Sequence, residues 1–136
     1  MQSIAALTLV VPDYDEAIRY YTEVLGFVLL EDRAMAPGKR WVTVAPQGGQ
    51  SPRLLLARAA DETQASRIGN QTGGRVFLFL HTDDFRRDHA AYRQRGVEFT
   101  EEPRSEPYGT VAVFRDRYGN LWDLIEPAAA AAAPDG

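Results

Sequence analysis

The 136 residues include no cysteine, which excludes disulfide staples, thiol nucleophiles and cysteine-type zinc sites at once. No apolar run approaches the ~20 residues that a bilayer-spanning helix needs. Positive charge is short as well. Fifteen Lys and Arg face nineteen Asp and Glu, and the net charge of −4 argues against nucleic acid or an anionic membrane as partner. The opening "MQSIAALTLVVPDYDE" carries no basic leader and no cleavage site, so a cytoplasmic protein is expected. What is present is a 45% hydrophobic chain, enough for one compact globular domain with a proper core.

Two segments share a plan, "LTLVVPDYDEAIRYYTEVLGFVLLEDR" and "VFLFLHTDDFRRDHAAYRQRGVEFTEEPR". Each starts with an apolar, branched and aromatic run, as a buried strand does. Each then meets an Asp-rich turn that can cap a helix, Asp13 to Asp15 or Asp83-Asp84. Tyr14, Ile18, Tyr21 and Leu25 fall on one helical face, as do Phe85, His89 and Tyr92. Gly26 and Gly96 stop the two helices, and alternating strands follow. "RWVTVAP" then parallels "TVAVFRD", and "RLLLAR" parallels "LWDLIEP". The spacing predicts strand, helix, strand, strand, strand twice: module one over 4–58 and module two over 75–127. The polar, Gly-rich stretch 59–74 reads as a linker, and "GNQTGG" within it lacks the lysine and following helix of a phosphate loop. Residues 128–136 are a low-complexity, alanine-rich tail expected to carry no chemistry.

"VPDYDEAIRYYTEVLGF" and "FRDRYGNLWDLIEP" resemble the opening and closing motifs of the glyoxalase, bleomycin-resistance and extradiol-dioxygenase superfamily, the vicinal oxygen chelate proteins. The resemblance covers about Ile4 to Pro127. It implies an α+β fold: two tandem βαβββ modules whose mixed sheets curl into a cupped, barrel-like shape with helices outside and a ligand site within. It also implies a homodimer, and in many enzymes of the family a divalent metal held by His and Glu. Carried over position by position, that ligand set falls on Ala6, on Leu54 to Leu56, on Phe77 and on Asp123. Only Asp123 has a donor, so no metal and no cofactor is expected; a divalent metal on a rearranged ligand set is the alternative.

With Ala6 turned into the cup, alternation predicts Thr8 and Val10 there too, and Leu7, Leu9 and Val11 against the helix. The same parity predicts Phe77, Phe79 and His81 inward, and Val76, Leu78 and Leu80 outward. Asp123 then points in, while Trp122 and Leu124 point out. Asp123 is either salt-bridged at the sheet edge or a polar anchor or proton-transfer group in an apolar hollow. His81 is the better placed histidine for chemistry, and His89 reads as structural. Phe77, Phe79, Tyr108 and Trp41 are the candidate ligand contacts, although strand aromatics such as these and Trp122 are more often core. Thr43 lies nearby in the same run. The arginines at 40, 53, 75, 104 and 115 read as surface, with one of them free to clamp a carboxylate.

Two functions follow. In the first, the protein binds a small, partly aromatic molecule in the cup without chemistry. In the second, it is a lactoylglutathione-lyase-like lyase or isomerase, or a dioxygenase relative, with Asp123 and His81 as acid and base. The sequence favours binding, and expects as partners only that molecule and a second copy of the chain.

Overall fold

Asp13 and Asp84 start the two longer helices by the same device, each carboxylate accepting the backbone N–H three residues on, from Glu16 and Arg87. Residues 1–49 and 51–129 are described by a computed structural model. The chain divides into two compact units at Gln71/Thr72.

The first unit runs β1 (Ala6–Val11), α1 (Tyr14–Arg19), β2 (Val28–Ala36), β3 (Lys39–Ala45), β4 (Arg53–Arg58) and a single helical turn α2 (Glu62–Ala65). The linker expected over 59–74 therefore holds a short helix, capped by Asp61 on Gln64. The second unit runs β5 (Val76–His81), α3 (Phe85–Gln94), β6 (Glu98–Phe99), β7 (Arg104–Glu106), β8 (Gly109–Arg115) and β9 (Leu121–Pro127). The sheets have matching orders, β1-β4-β3-β2 and β5-β9-β8-β6, with β7 also on β8. In each, the first strand lies parallel to the last, and the other pairings are antiparallel. This is the α+β pattern of two βαβββ modules. Neither sheet closes on itself.

The copies differ by one residue, and the helices show where it goes. After Arg19 the first helix widens into a π-turn over Tyr20–Val24. The Phe27 N–H reaches the Tyr21 carbonyl six residues back, where the Val97 N–H reaches Tyr92 five back. A π-turn absorbs one inserted residue without ending the helix. Both helices then stop at a glycine with positive φ, 78° at Gly26 and 90° at Gly96, a conformation that costs a side chain.

Each sheet buries one face against its own helix. In the first unit Leu9, Val11, Val42, Val44 and Leu56 are fully buried with Ala17 and Tyr21 of the helix. Leu7, expected on this face, is 37% exposed at the start of its strand. In the second unit Trp122 stacks on Phe114, with ring centroids 5.7 Å apart, and Phe114 meets Tyr92 of α3 edge-on. His89 lies between Phe85 and Phe99, a structural histidine as its helical position predicts.

Two local breaks depart from the sequence reading. The strand expected after Gly96 is split into β6 and β7: Thr100 still donates its N–H to the Val113 carbonyl, but the Glu101 side chain takes the Val113 N–H and Pro103 has no N–H to give the ladder. In β5, Val76 pairs with Leu121 but Leu78 pairs with Trp122, so Phe77 is the extra residue of a β-bulge. The parity counted through Phe77 does not hold. Its ring sits edge-on to Trp122, a member of the helix-side core, with centroids 6.4 Å apart.

Candidate functional site

The open face of the second sheet, turned away from α3, is fixed by register. Phe79 of β5 and Val113 of β8 flank Asp123 on either side. Residues paired in register share a face, so these three side chains stand in one row. Ile125, with His81 and Val111 beside it, forms the next row. Arg104 is paired with Val111 from β7 and so reaches the same side.

Within this face Asp123 is 9% exposed, and its Oδ1 has no hydrogen-bond partner. Among the described residues only Asn120 Oδ1 shares that condition. Burial pushes the Asp123 carboxyl above the usual carboxylate range; Arg104 pulls it down and Glu101 adds to the rise. Arg104 does not close on Asp123 as an ion pair. It is taken by Glu101 at 3.0 Å and by Glu106. Glu101 is held in turn by the Val113 N–H, 3.1 Å away. Beside this guarded carboxylate Phe79 is 63% exposed and Tyr108, in the turn before β8, is 46% exposed. His81 is exposed two residues beyond Phe79. The face therefore offers an aromatic surface next to a desolvated carboxyl oxygen in want of a donor.

The first sheet presents a different face, on the side of Ala6 and Thr8. Glu31 pairs with Thr43, and Arg33 with Trp41, placing all four on it. Glu31 Oε1 accepts from Trp41 Nε1 (3.1 Å), Thr43 Oγ1 (3.1 Å) and Arg53 (2.8 Å). These donors hold the Glu31 carboxyl below its ordinary value. Trp41 is thus half-buried and pinned through its N–H. Sequence reading missed Glu31, since its partners lie 10, 12 and 22 positions away on two other strands. An acidic residue facing a Trp-x-Thr strand across a hairpin was the available signal.

Of the candidates, Asp123, Phe79 and His81 share the open face of the second sheet, and Tyr108 lies at the head of β8 in the same unit. Phe77 is turned to Trp122, and Trp41 belongs to the first unit. Of the surface arginines, Arg53 binds Glu31, and Arg40 binds Asp15 and Asp32.

The family's divalent metal does not fit these residues. Ala6, Leu54 to Leu56 and Phe77 offer no lone pair, and the neighbours of Asp123 in its row are Phe79 and Val113. Among the described residues no group of three or more His, Cys, Asp or Glu could hold an ion. No helix among them is long and apolar enough to cross a membrane.

Known proteins share this architecture. The chain is 55% identical over 126 residues to an uncharacterized protein of Shewanella frigidimarina, covering 92% of this chain and 93% of that one. The crystal structure of UcmS2 matches with a TM-score of 0.80 at 33% identity, over 93% of this chain and 98% of its own. TnmS3, an antibiotic binding protein from Streptomyces sp. CB03234, matches with a TM-score of 0.75 at 32% identity, over 94% and 98%. Residues 3–124 match the family described as the glyoxalase/bleomycin resistance protein/dioxygenase superfamily, and to that superfamily this chain belongs.

Proposed function

We propose that the protein binds a small, partly aromatic molecule on the open face of its second sheet, as a cytoplasmic homodimer and without a metal. One observation carries the reading: a nearly buried carboxyl oxygen without a partner stands in register beside a phenylalanine that is 63% exposed. An unmet buried acceptor costs ~1–3 kcal/mol, and a ligand O–H or N–H placed there recovers it. An exposed ring beside it supplies a stacking surface. The likeness to an antibiotic binding protein makes aromatic antibiotics the first class to try.

Isothermal titration against a panel of aromatic antibiotics that includes bleomycin tests this. At least one should bind, and Phe79→Ala should weaken it by ~0.5–1.5 kcal/mol beyond the area lost. A folded variant with undiminished affinity would place the site elsewhere. Excess manganese, nickel or zinc should leave the melting temperature unchanged, whereas an ion held by the native chain would raise it by mass action.

The raised pKa of Asp123 supports a second reading as a lyase or isomerase. A carboxylate pushed toward the working pH is a better base for taking a proton from carbon next to a carbonyl, and His81 is the second titratable group on that face. The hemithioacetal of methylglyoxal and glutathione distinguishes the two. Turnover that is lost in Asp123→Asn would establish an enzyme, and its absence with binding retained would establish a receptor.

A further inference from the structure

The first sheet carries an arrangement that the second-sheet reading does not use. Arg33 lies over the Trp41 indole, its guanidinium carbon 5.7 Å from the ring centroid. The two are register partners on β2 and β3, so strand pairing sets them side by side on one face. The indole beneath is pinned by its N–H to Glu31. Charge on this face is unevenly matched. The Glu31 carboxylate is already countered by Arg53 at 2.8 Å. Arg40 and Arg58 lie on the opposite, helix-side face over Tyr14, where Arg40 is committed to Asp15 and Asp32 and Arg58 donates to the Gly38 carbonyl. Arg33 forms no ion pair with any described residue. It is a cation over an indole left without a counter-charge, in a protein whose net charge is −4.

A guanidinium held over an indole by a cation–π contact can still turn its N–H groups to a bidentate acceptor. We propose that Arg33 and Trp41 form an anion-binding subsite on the first unit, with Glu31 as the positioning residue that holds the indole. Its ligand is a planar aromatic molecule bearing a carboxylate or another compact oxyanion. The oxyanion meets the guanidinium edge and the ring extends over the adjoining surface of Trp41. The site is independent of the second-sheet reading and stands or falls apart from it.

Naphthalene-2-carboxylate and its neutral counterpart naphthalene-2-methanol are the probes, titrated calorimetrically into the native chain and into Arg33→Gln. Arg33 is exposed on an edge strand, so the variant keeps the fold, and its circular dichroism verifies this. The native chain should prefer the carboxylate by about fivefold, the upper end of what an exposed ion pair supplies. The preference should vanish in Arg33→Gln, shrink in Arg33→Lys, which keeps the charge without the planar fork, and fall as salt is added. Glu31→Ala, which removes the acceptor of the Trp41 N–H, should increase acrylamide quenching of indole fluorescence, since Trp122 is buried and Trp41 is the more accessible indole. Equal affinity for the two probes, a preference that survives Arg33→Gln, or no binding of either probe would each overturn the assignment.

Discussion

Asp123 and His89 are both partly withdrawn from water, yet they bend the stability curve in opposite directions. The Asp123 carboxyl is raised, chiefly by burial. Its contribution to folding is fully present below the ordinary value near ~3.9 and is lost as pH rises through the higher folded value. The His89 imidazole is lowered, again chiefly by burial, with Arg93 opposing its charge. Its contribution is present above the ordinary value near ~6.5 and is lost as pH falls toward the folded one. Urea unfolding across pH separates them. Asp123→Asn should exceed the native chain by about 1 kcal/mol at neutral pH, with the gap closing in acid. His89→Phe, which keeps an aromatic body between Phe85 and Phe99, should flatten the native chain's decline between roughly pH 7 and 5. If Asp123→Asn is the less stable at neutral pH, the carboxylate has a partner in solution and the case for a ligand donor fails.

The β8–β9 turn shows why the closing motif of the sequence is so legible. Asp116 is buried and accepts from the backbone N–H groups of Tyr118, Gly119 and Asn120, from the Asn120 amide and from Trp122 Nε1. One carboxylate thereby shapes the turn and fixes the largest ring of the core. Asp116→Ala would leave those donors buried and unmet, at a cost of about 3 kcal/mol or more. A chemical melt within about 1 kcal/mol of native would refute this role. Gly109 is a second fixed point, since a Cβ there would stand 2.2 Å from the Glu126 carbonyl oxygen. Caps, glycine stops and strand order are local or repeated signals, so the sequence carried both modules. Alternation also placed Asp123 on the face away from the helix. The rest was illegible for definite reasons. A bulge at Phe77 resets the period-two count without changing composition, and the break between β6 and β7 rests on a ladder lost around Pro103. Glu31 was invisible because its partners meet it only across paired strands.

At the scale of the whole molecule, the first sheet ends on β2, an edge strand exposed along nearly all its length. Val28, Leu29 and Leu30 are consecutive on it and 40–43% exposed, with Met35 further along at 53%. An unpaired edge carrying this much apolar surface invites pairing with another chain, and a charged or covered edge is how soluble proteins avoid it. The Glu31, Asp32 and Arg33 that follow are charged, so the apolar run is confined to the first third of the strand. A patch so bounded suits a closed, self-complementary contact better than open-ended association, because a two-fold interface uses one patch on each copy and then stops. Light scattering at micromolar concentration should therefore give twice the mass of the 136-residue chain. Leu30→Lys should move that mass toward the monomer while leaving the circular dichroism unchanged, since the side chain is 43% exposed and owes little to its own core. A native chain that scatters as a monomer would leave the apolar edge without its proposed cover and would refute the dimer.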